Sequence, residues 1–148
     1  MLKIRDFIPQ DWEEYNTMSQ EFYSSEAVCH TIPKENFRKT FDALMDNTPY
    51  ARGVMLELDG VIVGYGLLAL TWSNEAGGLT VWSEELYIKE EYRCRKLGSQ
   101  YFEWLFREYP DAARHRLEIS ASNDRASHLY LKYGFDFLDY RSMIRDLH

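Results

Sequence analysis

With 148 residues, 45% of them hydrophobic and 16% aromatic, the chain can bury a core, which excludes a disordered segment and predicts one domain over residues 1–148. Its net charge of −7 argues against nucleic acid, whose binding is largely phosphate neutralisation by Lys and Arg, and suits a cationic substrate. No apolar run has the length of a membrane span, the N-terminal MLKIRDFIPQ lacks a signal-peptide hydrophobic region, and Cys29 and Cys94 match neither a disulfide framework nor a metal pattern.

In chain order, Leu2 and Ile4 alternate with Lys3 and Arg5 and predict a first strand. Pro9 and Asp11 supply helix-start chemistry, and Trp12, Tyr15, Met18 and Phe22 recur at helical spacing until Ser24 and Ser25 end the helix. The connection EAVCHTIP, residues 26–33, leads to a second amphipathic helix carrying Phe37, Phe41, Leu44 and Met45, which Asn47 to Pro49 stops. Residues 54–58 and 61–70 are β-rich runs joined by Asp59-Gly60, a strong two-residue hairpin signal. Gly64 and Gly66 interrupt the second run and predict a bulge or a close backbone approach. After the loop SNEAGG, residues 79–88 read as the third strand of a meander.

Residues 84–105, EELYIKEEYRCRKLGSQYFEWL, then read as strand, basic turn and helix. Leu86 and Ile88 point one way from the strand, and Arg93, Arg95 and Lys96 crowd the turn. Leu97, Tyr101, Trp104 and Leu105 form one apolar helix face, with Gly98 and Ser99 in its opening turn. Unpaired main-chain N–H groups, the positive end of the helix dipole and three cationic side chains make this turn a seat for an anion such as a phosphate group. Leu117 and Ile119 predict a short strand, and Ser122-Asn123-Asp124 caps a helix carrying Ala126, Leu129, Tyr130 and Tyr133 that Gly134 stops. Phe135, Phe137 and residues 140–147 supply two closing strands. The fold class is α/β, a mixed sheet in the order β-α-α-β-β-β-α-β-α-β-β.

Two segments, YIKEEYRCRKLGS and NDRASHLYLKYGF, together resemble the GNAT superfamily of N-acetyltransferases. The first is similar to the family's coenzyme A motif, Arg/Gln-x-x-Gly-x-Gly/Ala, with Arg93 in the first place and Gly98 in the last. Lys96 stands where that motif has its first glycine, and Cys94 follows Arg93 where glycine is common. The second matches the signature Asn-x-x-Ala-x-x-Leu-Tyr-x-x-x-Gly-Phe at Asn123, Ala126, Leu129, Tyr130, Gly134 and Phe135.

The resemblance implies transfer of an acetyl group from acetyl-coenzyme A, as co-substrate, to a primary amine by direct attack in a ternary complex, without a metal. It implies that main-chain groups of Cys94, Arg95, Lys96, Leu97, Gly98 and Ser99, with Arg93, hold the pyrophosphate. Leu86, Tyr87 and Ile88 would pair with the pantetheine arm, Asn123 and Tyr130 would meet it from the other side, and Tyr130 would protonate the departing thiolate. Glu84 matches the family's commoner general-base position; Glu85 or a water relay are alternatives, since strand neighbours point to opposite faces and only one of the two glutamates should reach the cleft. Read without the resemblance, the basic turn is a solvated charge run, Tyr130 is core, Asn123 is a helix cap and Glu84 is a solvated acid. His30, Tyr23, Trp72 and Trp82 are candidates to line the acceptor side, and Cys94 for a covalent acyl role. A non-catalytic module binding coenzyme A or another nucleotide is the competing reading. The expected setting is cytoplasmic, with no membrane or nucleic-acid partner, and an exposed last strand would allow pairing with a second copy.

Overall fold

The computed structural model describes residues 1–121 and 123–147; Ser122, read above as part of a helix cap, and His148 lie outside the described residues. The elements are β1 (Leu2–Asp6), α1 (Trp12–Phe22), α2 (Glu35–Met45), β2 (Ala51–Leu58), β3 (Val61–Ser73), β4 (Gly78–Ile88), α3 (Leu97–Glu108), β5 (Arg114–Leu117) and α4 (Asp124–Lys132). One five-stranded sheet runs β1-β2-β3-β4-β5, antiparallel except for the parallel β4–β5 pair. The Asp59-Gly60 turn forms as its sequence predicts, with positive φ at both residues, 51° and 80°. Asn47, at φ 58°, ends α2 in the same left-handed way.

Each face of the sheet carries its own core, because the middle strands alternate apolar residues to both sides. On one face Phe7, Tyr15, Met18, Phe22, Phe37 and Phe41 of the N-terminal third pack on Met55, Tyr65 and Tyr87. On the other, Leu97, Tyr101, Phe102 and Leu105 of α3 pack on Val54, Leu56, Val63, Leu68 and Val81, with Leu129 and Tyr130 of α4 against them. Arg5 pins the start of the chain: its guanidinium holds the buried Asp11 at 2.7 Å and Glu57 at 2.7 Å.

Bulges in β3 and β4 set the geometry of the functional end. Between β2 and β3, Leu56 pairs with Gly64 but Glu57 with Ile62, so Val63 is the extra residue. Between β3 and β4, Leu67 pairs with Glu85 but Leu68 with Ser83, so Glu84 is the extra residue. An inserted residue reverses the alternation of faces. Val81 accordingly belongs to the α3 core while Tyr87, also at an odd position, belongs to the α1–α2 core; Val63 and Tyr65 divide the same way. Gly64 is the close approach the sequence predicts, since a Cβ there would overlap the Tyr87 carbonyl oxygen.

The two closing strands are a correction. Among the described residues, none from 135 to 147 joins the sheet, and Phe137, Tyr140, Met143, Ile144 and Leu147 are exposed. The physical reason is patterning. Asp136, Asp139, Arg141, Arg145 and Asp146 fall between the apolar residues so that a strand here would present charge on both faces, and neither face would specify a register. Tyr140 instead anchors the segment by donating to Glu75 Oε2 at 2.9 Å. The fifth predicted strand is displaced toward the N-terminus: β5 begins at Arg114 and ends at Leu117, short of Ile119.

Candidate active site

The bulge at Glu84 lies where the sheet opens. Parallel pairing between β4 and β5 runs from Thr80–Arg114 to Ser83–Leu117 and stops there. Beyond it a cleft of about 390 Å³ separates the strands, with Glu84, Glu85 and Leu86 on one wall and Leu117, Glu118, Ile119 and Ser120 on the other. Asn123, Ala126 and Tyr130 close one side, and Phe22, Tyr23 and residues 27–29 close the other. The Lys89 N–H donates to Val63 O at 2.8 Å, toward β3. Main-chain groups alternate sides along a strand, so those of Leu86 and Ile88 face the open edge. An extended ligand can therefore pair with β4 where β5 has left it.

The turn read as an anion seat follows directly. A short 3-10 turn, Glu90–Tyr92, leads into Arg93, and then Cys94 and Lys96 both adopt left-handed backbone, at φ 63° and 62°. Left-handed residues interleaved with ordinary ones turn successive N–H groups toward a common point, the concavity known as a nest. Lys96 is also the N-cap of α3, whose first-turn N–H groups have no intrahelical partner. Arg93 closes the loop onto the strand end, its Nε donating to Ile88 O at 2.8 Å and its guanidinium lying 5.5 Å from the Tyr87 ring centre. Leu97 is buried in the α3 core, so it offers the seat main chain only. At Gly98 a Cβ would meet Leu129 Cδ2 at 3.1 Å; its small size serves the α3–α4 contact, so a bulky residue there would test packing as well as anion binding.

Both glutamates line the cleft, which corrects the expectation that only one would. The bulge explains it, because two residues on β4 there stand against one on β3. Glu84 sits at the exposed rim, and desolvation, followed by the charges of Glu118 and Glu85, pushes its carboxyl up from the ordinary range. Glu85 lies deeper on the α1–α2 side; burial pushes it up, opposed by hydrogen bonds from Tyr65 and Tyr23. Glu118, across the cleft, was not a candidate from the sequence. Its signal was available: an acid between Leu117 and Ile119 occupies the alternate face of a short strand.

Tyr130 lies at the cleft wall with its ring edge-on to Phe102, 5.6 Å between centres, and burial pushes its hydroxyl up. Asn123 caps α4, its Oδ1 accepting from the Ala126 N–H at 3.4 Å, and also lines the cleft. Tyr23 lines it too, but His30, Trp72 and Trp82 do not: His30 is exposed beyond Cys29, Trp72 is 77% exposed near the far end of β3, and Trp82 stacks under Arg116. Cys94 is exposed within the anion loop. Among the described residues, no three His, Cys, Asp or Glu side chains converge closely enough to hold a metal ion, and no helix is long and apolar enough to cross a membrane.

Comparison with known proteins identifies the family and the fold. Residues 12–135 match the model of the acetyltransferase (GNAT) family. A Bacillus subtilis (strain 168) protein, "Putative [ribosomal protein bS18]-alanine N-acetyltransferase", is 33% identical over 120 residues, spanning 76% of this chain and 70% of that one. Among solved structures, a "possible acetyltransferase" from Clostridium difficile 630 superposes with a TM-score of 0.82 at 16% identity, covering 100% of this chain and 99% of its own. The aminoglycoside N-acetyltransferase AAC(6')-Iy in complex with CoA superposes at 0.78 and 13% identity, covering 100% and 96%. These two share the fold; the match to the family model and the Bacillus relative carry the assignment further. The chain belongs to the acetyltransferase (GNAT) family and is an N-acetyltransferase.

Proposed function

We propose that the protein, acting as a single domain, transfers the acetyl group of acetyl-coenzyme A to a primary, cationic amine by direct attack within a ternary complex. One observation carries the reading: an anion-binding nest and an open strand edge meet at the cleft that holds Glu84 and Tyr130. The pyrophosphate would rest on the N–H groups of residues 94–99, and the pantetheine arm would pair along Leu86 to Ile88, with Asn123 opposite. An acceptor reaches neutral solution as an ammonium ion, and Glu84, with its raised proton affinity, takes that proton. The amine nitrogen then bonds to the thioester carbon, the carbon–sulfur bond breaks as the Tyr130 hydroxyl protonates the departing sulfur, and the second proton shed by the acylated nitrogen returns through solvent to Tyr130. A main-chain N–H at the open edge near Ile88 would bind the carbonyl oxygen, a type of contact worth about 3 kcal/mol.

The named relatives are described as N-acetyltransferases of an aminoglycoside and of a ribosomal protein's alanine, and this cleft is read as accepting the same functional group, an amine. Release of free thiol from acetyl-coenzyme A, followed across a panel of small amines, amino acids and peptides, tests the proposal. Turnover with at least one primary amine, and loss of that turnover in Glu84→Gln, is expected. A protein that binds the coenzyme but acetylates none of the panel would overturn it.

A further inference from the structure

Glu85 has a setting that proton transfer does not explain. Tyr65 donates its hydroxyl to Oε1 at 2.5 Å and Tyr23 donates to Oε2 at 2.7 Å, so each carboxylate oxygen is gripped from the α1–α2 side. Among the described residues no Lys, Arg or His pairs with it, although Asp6, Asp11, Glu14, Asp42, Glu57, Glu75 and Glu108 all have a cationic partner. A carboxylate has about four acceptor positions, and two hydroxyls fill two of them. Burying such a group without a counter-ion is costly, and what remains of its capacity borders the cleft. The wall beside it is aromatic: Phe22 and Tyr23 stand edge-on, 5.1 Å between ring centres, and both line the cleft. A carboxylate with spare acceptor capacity beside aromatic rings is a setting for a cation, because both groups can attract positive charge in a partly dry site.

We propose that Glu85, held by Tyr23 and Tyr65, is the specificity residue of the acceptor pocket and binds a second cationic group of the acceptor, so that the preferred substrates are small diamines. The inference rests on the reading above that the acceptor enters this cleft. The bulge puts Glu84 and Glu85 side by side along one wall, so a single short molecule can present its reacting amine to the first and its second ammonium to the other. The cleft, about 390 Å³, has room for such a molecule.

The test compares 1,4-diaminobutane with n-butylamine, alike in chain length and different by one charge. Calorimetry on the protein saturated with coenzyme A should show the diamine binding at least about tenfold more tightly. In Glu85→Gln that preference should shrink to within about twofold, with the loss in turnover falling on the KM of the diamine; Tyr23→Phe should reduce it less. Equal binding of the two amines by the parent protein would overturn the inference without recourse to any variant. So would a Glu85→Gln variant, folded by circular dichroism, that keeps the full preference. Acetylation of n-butylamine with no diamine preference sinks this inference alone, whereas binding and acetylation of no amine at all would sink the proposed reaction with it.

Discussion

Lys96 offers the sharpest test of the anion seat, because its backbone and its charge can be separated. At φ 62° and ψ 23° it occupies the left-handed region, which costs an L-residue with a Cβ about 1–2 kcal/mol. Glycine removes that cost but loses more freedom on folding, an opposing term of about 0.5–1 kcal/mol. The net for Lys96→Gly is a gain of about 0.5–1 kcal/mol, or a rise in Tm of about 1.5–3 °C for a chain of this size. Lys96→Met keeps the Cβ and the strain while removing the ammonium, so its Tm should stay within about 1 °C of the parent. If the ammonium lies on a phosphate oxygen, both variants lose one charge-assisted hydrogen bond, about 1.5 kcal/mol or roughly tenfold in coenzyme A affinity. Differential scanning calorimetry and coenzyme A titration read the two effects independently. A lower Tm in Lys96→Gly would refute the strained backbone, and unchanged affinity in Lys96→Met would remove the side chain from the phosphate site.

Three further outcomes follow from the cleft. Desolvation, followed by the charges of Glu118 and Glu85, holds the Glu84 proton on to higher pH, so the acid limb of kcat/KM should lie above the ordinary carboxylate range. Removing the larger of the two charges in Glu118→Gln should move that limb part of the way to lower pH; an unmoved limb would deny the coupling, and a dead enzyme would transfer the role of base to Glu118. Burial keeps the Tyr130 hydroxyl protonated well past neutrality, so Tyr130→Phe should lower kcat by about 100-fold while coenzyme A affinity changes less than about twofold. A variant as fast as the parent leaves Tyr130 as packing. Gly64→Ala drives a Cβ into the Tyr87 carbonyl, a main-chain atom that cannot swing aside; a loss of about 3 kcal/mol and a Tm lower by about 9 °C are expected, and an unchanged Tm would refute the close approach.

Much of the proposed coenzyme side could be read locally, because its structural signals lie within short windows. The strand–turn–helix around Arg93 to Ser99, the cap at Asn123 and the hairpin at Asp59-Gly60 each depend on residues within a few positions of one another, and each forms as read. The acceptor side was less legible. Strict alternation along β4 predicts that Glu84 and Glu85 point apart, and only pairing with β3 reveals the extra residue that puts both in the cleft. Glu118 joined the site when β5 turned away from β4 after Leu117. The closing strands failed for the opposite reason: apolar residues were present after Phe135, but the charges between them denied either face a continuous apolar stripe.

Local backbone preference acts over a turn or two, so the linear order of residues was enough to determine the main elements, the cap at Asn123 and the left-handed turn before α3. Which side chains would meet was decided elsewhere. Glu85 reaches Tyr65 across 20 residues of chain and Tyr23 across 62, contacts that exist only because burial of two opposed cores selects one strand register out of several. That choice sums over many distant contacts, and no short window of sequence contains it.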